Sequence, residues 1–438
     1  MNGREAALAI LERCRKDGAW FSAAADGIIR KEGLDRREAG LASALALGVL
    51  QNVSYFDFLI SAFCSRRPEQ LEKRVRDILR LGVCQLVLLD RIPPRAAVNE
   101  TVALCESCGA ARASALVNAV LRRIADCRDQ LPDVPDRGEA SYLSTRFSEP
   151  LWLTEKLIEE KGYAFTEELF RAYNRAAALD IQLNTLRCSL CEYTRALDRL
   201  AIGYELPPFP KDCVCVTGAP VRSLPGYDEG LFYVQDRAAR TAVDLVGLEK
   251  GMHVLDACAS PGGKSFAAAL CMQGEGRILS CDIHEKKLSL IESGAARLGL
   301  ELIRTECRDA RSYDPALDSA FDAVLADVPC SGFGVIGKRP EIRWKDRETI
   351  RSLPVIQRAI LDNLCRFVRP GGILLYSTCT ILREENEDVI RSFLRAHEDF
   401  APCGFTVGGR AAEEGCYTFY PNVDGTDGFF VSKLQRKT

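Results

Sequence analysis

Val254-Leu255-Asp256-Ala257-Cys258-Ala259-Ser260-Pro261-Gly262-Gly263-Lys264-Ser265 reads as a strand, a Gly-rich turn and the first residues of a helix. A phosphate-binding P-loop needs G-x-x-x-x-G-K-[ST]. Gly263-Lys264-Ser265 fits the end of that pattern, but Cys258 stands where the first Gly belongs. The dinucleotide spacing G-x-G-x-x-G is also absent. What remains is a shorter turn whose glycines let backbone approach a ligand closely. The next acidic strand end is Asp282, 19 residues after Gly263, and Asp309 follows a third apolar run. A carboxylate at Asp282 suits the two hydroxyls of a ribose. With no phosphate cradle, a nucleoside cofactor such as S-adenosylmethionine fits this loop best.

Outward from the turn, apolar runs alternate with helical stretches. Strands are expected at His253–Cys258, Arg277–Asp282, Phe321–Asp327 and Gly372–Ser377. That alternation predicts an α/β domain over 236–438, with a mostly parallel, Rossmann-like sheet. Residues 1–128 read as all-helical, with apolar residues at a 3.6 period (Leu71, Val75, Ile78, Leu79, Leu86) and glycines ending segments at Gly18, Gly33 and Gly109. Residues 129–150 are polar and contain proline, which predicts a linker. Residues 151–235 mix an amphipathic helix, Leu151–Lys161, with an alternating strand at Leu179–Asn184, which predicts a small α+β domain.

The whole chain has 438 residues, is 27% charged and carries a net charge of −3. Residues 1–126 hold 19 Lys and Arg against 15 Asp and Glu, a local charge of +4 that leaves −7 for the rest. A mildly basic helical domain is compatible with RNA contact. No stretch approaches the ~20 apolar residues of a membrane helix, and the first residues lack a secretory pattern. A cytoplasmic monomer with no membrane partner is expected. Of the 19 cysteines, Cys105/Cys108 and Cys188/Cys191 form CxxC pairs, with Cys213/Cys215 nearby in the chain. The first two pairs lie 80 residues apart and the chain has three His, so no metal is expected.

Two cysteines stand apart from this core-filling majority. Phe321-Asp322-Ala323-Val324-Leu325-Ala326-Asp327 is followed by Val328-Pro329-Cys330. Gly372-Ile373-Leu374-Leu375-Tyr376-Ser377 is followed by Thr378-Cys379. Open α/β sheets bind ligands at the carboxyl ends of their strands. If the two strands are neighbours, their ends lie ~5 Å apart and both thiols face one substrate. Beside a methyl donor, a thiolate has a definite use. Carbon 5 of cytosine or uracil is a poor nucleophile until a thiolate adds to carbon 6. Asp327 is the nearest acid to protonate ring nitrogen 3, and Lys264 is a positional candidate for lowering a thiol pKa. Beyond Cys330, the stretch Ser331–Trp344 offers Lys338, Arg339, Arg343 and Trp344 as contacts for phosphates and bases.

The Asp256–Lys264 turn, Asp327-Val328-Pro329-Cys330, Ser377-Thr378-Cys379 and Asp424-Gly425-Thr426-Asp427-Gly428-Phe429-Phe430 resemble the motifs of the RNA 5-methylcytosine methyltransferases, the NOL1/NOP2/Sun group. Val75–Gly82, Ile92-Pro93, Ala97–Glu100 and Val117–Arg122 resemble a NusB-like RNA-binding domain. The combination is similar to the RsmB/Sun (Fmu) family, which acts on bacterial small-subunit ribosomal RNA. The resemblance implies a cytosine-C5 methyltransferase acting on RNA. It implies Cys379 as nucleophile and Cys330 as the residue that helps release product. It implies a cofactor site of Cys258, Ala259, Ser260, Pro261, Gly262, Gly263 and Lys264 with Asp282, Asp309 and Asp327. Departures from the family pattern are mild: Ser260 and Val328 each replace an alanine, Glu341 and Arg343 replace Asp and Lys, and Gln51 replaces an Arg of the NusB-like domain. Transfer RNA as substrate, a non-catalytic RNA-binding assembly factor and a DNA cytosine methyltransferase are the alternatives to distinguish.

Overall fold

The structure is a computed structural model and describes residues 1–175, 179–345 and 347–438. The chain divides into two compact units, residues 1–175 with 336–345, and 176–335 with 346–438.

The first unit is helical. Its opening helix, Gly3–Asp17, starts because Asn2 accepts hydrogen bonds from the Arg4 and Glu5 amides while Glu5 reaches back to Asn2. It stops at Gly18, whose φ of 61° suits a residue without a Cβ. Helices follow at Phe21–Glu32, Arg36–Gln51, Val53–Phe63, Lys73–Leu88, Pro94–Ser107 and Ser114–Asp126. Leu45, Phe56, Ile78 and Leu121 are fully buried at their centre. Gly82 is needed there, because a Cβ would overlap the Leu121 side chain. Among the described residues no single helix is long and apolar enough to cross a membrane.

Two expectations need correction. Residues 129–150 are not an unstructured linker, since they contain the helix Ala140–Phe147 with Leu143 and Phe147 buried. Their polar composition hid two apolar residues at helical spacing. The stretch 151–235 also does not hold together as one domain. Helices Leu151–Lys161 and Tyr163–Tyr173 group with the first unit, while the strands from Leu179 onward group with the second.

The second unit contains a small antiparallel sheet of β1 (Leu179–Leu183), β2 (Tyr204–Glu205), β3 (Cys213–Val216) and β4 (Phe232–Val234), ordered β2-β3-β1-β4. Buried Asn184 fastens it to the rest of the unit by donating to the carbonyls of Gly230 and Leu298, both at 2.9 Å. Asp180, Cys213 and Cys215 come within 4.8 Å of one another here. They form a hydrogen-bonded chain: Cys215 donates to Asp180 at 3.0 Å, Gln182 donates to Cys213 at 3.3 Å, and Arg237 lies 3.4 Å from Asp180.

The large sheet is built on β5 (His253–Asp256), β6 (Arg277–Asp282), β7 (Ile303–Cys307), β8 (Phe321–Asp327) and β9 (Val368–Thr378). After β10 (Phe400–Pro402), the hairpin β11 (Phe405–Val407) and β12 (Arg410–Ala412) stands apart, and β13 (Cys416–Phe419) and β14 (Phe429–Arg436) complete the strands. The order is β10-β14-β9-β8-β5-β6-β7, with β13 against β14. Strands β5 to β9 are parallel and β14 is antiparallel to β9. Val324, Leu325, Leu374 and Leu375 are fully buried, as expected where helices cover both faces of a parallel sheet. The chain builds outward from β5 to β7 and then crosses back to β8. The topological switch point therefore lies between β5 and β8, where such sheets bind ligands. The mostly parallel α/β sheet and the all-helical N-terminal region are thus as the sequence led us to expect.

Candidate active site

The β8 and β9 strands are neighbours, and Asp327 pairs in register with Ser377. Their shared carboxyl end sets everything that follows. Ser377 Oγ donates to Asp327 Oδ1 at 2.8 Å, and Lys264 Nζ lies 2.6 Å from Asp327 Oδ2. Lys264 reaches this point from the first turn of helix Gly263–Cys271. Its ammonium also lies 5.1 Å from the centre of the Phe429 ring, a cation–π distance.

One step beyond the strands, Cys330 Sγ and Cys379 Sγ are 3.1 Å apart, and the Cys379 amide donates to Cys330 Sγ at 3.3 Å. The hydrogen bond to Cys379 and then burial push the Cys330 thiol well above its ordinary range. The neighbouring sulfur and burial therefore disfavour a thiolate at Cys330. The structure pairs Lys264 with Asp327, and the Cys330 thiol lies beside the Cys379 sulfur.

The loops carrying both thiols are held from behind. Ser331 Oγ and Thr380 Oγ1 are 2.8 Å apart. Buried Glu385 accepts from the Ser331 amide and from Gln357, both at 2.9 Å. Asn386 donates to the Thr380 carbonyl at 3.0 Å and meets Thr378 Oγ1 at 2.6 Å. Gly334 donates to the Cys379 carbonyl at 3.0 Å and accepts from Gly428 at 2.8 Å; a Cβ on Gly334 would overlap the Gly428 carbonyl. The sequence reading missed Glu385 and Asn386. They sit in the charged run Arg383–Asp388, and only their place six and seven residues after Cys379 marks them out.

The Gly-rich turn lies on the other side of the switch point. Gly262 has φ of 112°, a conformation that needs glycine. Asp256, at the end of β5, is fully buried; burial raises its pKa to about 6, against the lowering effect of the Ser265 hydrogen bond at 2.7 Å. Burial likewise pushes up the Cys258 thiol, which stays protonated. Asp282 is almost fully buried at the end of β6, and its Oδ1 accepts from the His284 amide at 2.9 Å. Its Oδ2 is left for a ligand. A carboxylate oxygen at the end of β6, facing a Gly turn at the end of β5, fits a ribose diol. Asp309 is less available than expected. Its two oxygens are held by Arg311, at 3.0 Å through Nε and 2.6 Å through Nη2.

The basic stretch after Cys330 is where the structure departs most from expectation. Residues 336–345 group with the helical unit. Arg343 is buried, with Nε 2.8 Å from fully buried Glu149 and Nη2 2.8 Å from Asn174. It is therefore a structural ion pair and not an RNA contact. Arg339 lies 4.8 Å from the Trp20 ring centre. Trp344 is exposed, as an RNA contact requires.

Residues 243–435 match the family model described as 16S rRNA methyltransferase RsmB/F, and residues 1–126 match the NusB family. The chain is 31% identical to the probable ribosomal RNA small subunit methyltransferase B of Bacillus subtilis (strain 168), over 99% of this chain and 98% of that one. It is also 31% identical to ribosomal RNA small subunit methyltransferase B of Escherichia coli O7:K1, over 92% and 91% of the two chains. Among solved structures, PH0851 shares the fold with a TM-score of 0.83 and 24% identity, over 99% of each chain.

Proposed function

The chain belongs to the RsmB/F family of 16S ribosomal RNA methyltransferases with an N-terminal NusB domain, and from that premise we propose that it methylates carbon 5 of a cytosine in small-subunit ribosomal RNA through a covalent Cys379–cytosine bond. The observation that carries this reading is the pair of sulfurs 3.1 Å apart at the ends of two adjacent parallel strands, with Asp327 and Lys264 at the same edge.

S-adenosylmethionine is the cofactor, and when bound it supplies a methyl group made electrophilic by its sulfonium. The turn Cys258–Lys264 and Asp282 would hold its nucleoside, with Asp327 bordering the site. The residues of the chain prepare the base to accept that methyl. Cys379, as thiolate, forms a carbon–sulfur bond to carbon 6. The electron pair displaced through the ring reaches nitrogen 3, which takes a proton passed from the Lys264 ammonium through the Asp327 carboxylate 2.6 Å away, and returns it by the same route when the ring re-forms. Carbon 5 is then electron-rich. Once Cys379 is bound to carbon, its negative charge no longer holds the proton on Cys330. Cys330 can then lose that proton to solvent and act as the base that removes the carbon-5 proton. The carbon 5–carbon 6 double bond re-forms as the bond to Cys379 breaks. The helical N-terminal domain would grip the RNA while this happens.

The test is methyl transfer from S-adenosylmethionine to 16S ribosomal RNA lacking the modification, with digestion of the product to nucleosides. The expected product is 5-methylcytidine. A methyl group on any other atom, or full activity in Cys379→Ala, would overturn the reading.

A further inference from the structure

Each of the two cysteines is held through the residues on either side of it. Beside Cys330, the Ser331 amide donates to Glu385 Oε2 at 2.9 Å. Gln357 Nε2 donates to the Pro329 carbonyl at 3.1 Å and to the same Glu385 oxygen at 2.9 Å. Beside Cys379, Thr378 Oγ1 donates to Asn386 Oδ1 at 2.6 Å, and Asn386 Nδ2 donates to the Thr380 carbonyl at 3.0 Å. Two consecutive residues thus clamp both flanks of one cysteine each. The Glu385 carbonyl accepts from Tyr376 Oη at 2.5 Å, which ties the turn Arg383–Glu385 to the end of β9. Glu385, Asn386 and Gln357 are all buried. Packing alone does not call for a carboxylate and two carboxamides in a core, because burying such groups is costly unless their hydrogen bonds are made. What these bonds reach is the chain on both sides of a thiol.

We propose that Glu385 and Asn386 are positioning residues with divided tasks: Glu385, with Gln357, aims Cys330 for the release step, and Asn386 aims Cys379 for attack on carbon 6. The inference rests on the proposed roles of the two thiols. Reacting groups must be placed closely, since a displacement of about 1 Å can cost ~10²-fold in rate. The two clamps therefore fail at opposite ends of the reaction, although their residues are adjacent in the chain. A general loosening of the fold would slow both steps together.

Single-turnover methyl transfer by the full-length protein to unmodified 16S ribosomal RNA, quenched in denaturant, counts the protein–RNA adduct and the released product separately. Glu385→Ala should form adduct within about threefold of the wild-type rate, release product about thirtyfold more slowly, and accumulate adduct. Asn386→Ala should form adduct about thirtyfold more slowly and accumulate none. Glu385→Gln keeps an oxygen for Ser331 and Gln357, and should restore release to within about threefold. In a Cys330→Ala background, Glu385→Ala should cost less than about twofold more, because it acts through that thiol. Gln357→Met and Thr378→Val each remove one partner from a clamp. They serve if an alanine variant lowers the melting temperature, and should show the same two phenotypes at about fivefold. The same step slowed by both clamps, a loss that adds in full to that of Cys330→Ala, or wild-type rates in the folded variants overturns the inference. Wild-type release by Cys330→Ala itself, without adduct, would overturn the release role of that thiol and the inference with it. Normal clamp variants beside a defective Cys330→Ala would overturn the inference alone.

Discussion

Asp256–Ser265 and Ile336–Lys345 are two ten-residue stretches built from a shared vocabulary of Gly, Pro and Lys. In the first, position follows from local rules. A buried strand ends, glycine turns the chain at a φ of 112°, and a helix starts whose first turn points Lys264 at Asp327. In the second, the side chains answer to partners far away in sequence. Arg343 belongs to Glu149, 194 residues earlier, and Arg339 and Lys345 belong to Trp20. The lesson is that charge in a loop does not by itself mean exposure. A guanidinium is as ready to be buried with a carboxylate as to meet a phosphate.

The largest expected effect tests the locally determined side of the comparison. Cys379→Ala should reduce methyl transfer by ~10³-fold or more while leaving the melting temperature near wild type, since a nucleophile has no substitute. Residual activity within tenfold of wild type would remove Cys379 from the proposed mechanism. The second test addresses the distant side. Arg343→Met leaves Glu149 buried without its cation and should cost about 3–5 kcal/mol of stability in chemical denaturation. The double variant Glu149→Leu, Arg343→Met should recover much of that loss. Unchanged stability together with weakened RNA binding would restore Arg343 as a substrate contact.

What could be read from the sequence divides along the same line. The strands at Arg277–Asp282 and Phe321–Asp327 have the bounds expected, because each carries a short apolar segment (Ile278-Leu279, Ala323-Val324-Leu325-Ala326) that runs into an aspartate at its carboxyl end. The adjacency of β8 and β9, and with it the meeting of Cys330 and Cys379, was legible as a conditional and follows from their pairing. The pairing of Lys264 with Asp327 was not legible, because a lysine after a Gly turn can reach any of several strand ends. Glu385 was invisible for a different reason. Its burial depends on the Ser331 amide and Gln357, and nothing in an Arg-Glu-Glu-Asn run announces either.

A third test is smaller in rate but more diagnostic. Cys330→Ala should slow turnover about a hundredfold and accumulate a protein–RNA adduct that survives denaturant, visible as a shifted band. The adduct requires both RNA and S-adenosylmethionine. A variant that turns over slowly without any adduct would place Cys330 before bond formation, as the thiol that stabilises the Cys379 thiolate, and not after it.

The smallest effect compares two buried acids. Glu149 has the Arg343 guanidinium at 2.8 Å, whereas the direct side-chain partner of Asp256 is the neutral Ser265 hydroxyl at 2.7 Å. Burial raises the Asp256 pKa from 3.8 to about 6. A carboxyl raised in the folded state binds its proton more tightly there than in the unfolded chain. Its favourable contribution is therefore complete below about pH 4 and is lost as pH rises to about 6. Above that, the folded protein carries the cost of a buried carboxylate. Asparagine cannot ionise, so the stability of Asp256→Asn relative to wild type should climb between pH 4 and pH 6 and then level off. The gap between the folded and unfolded pKa values sets the size of the climb, on the order of 1–3 kcal/mol. Urea denaturation of the cofactor-free protein at pH 4.5, 5.5, 6.5 and 7.5 measures it. A difference that stays flat with pH would mean that Asp256 ionises as easily as an exposed carboxyl, with the nearby Lys264 offsetting its burial.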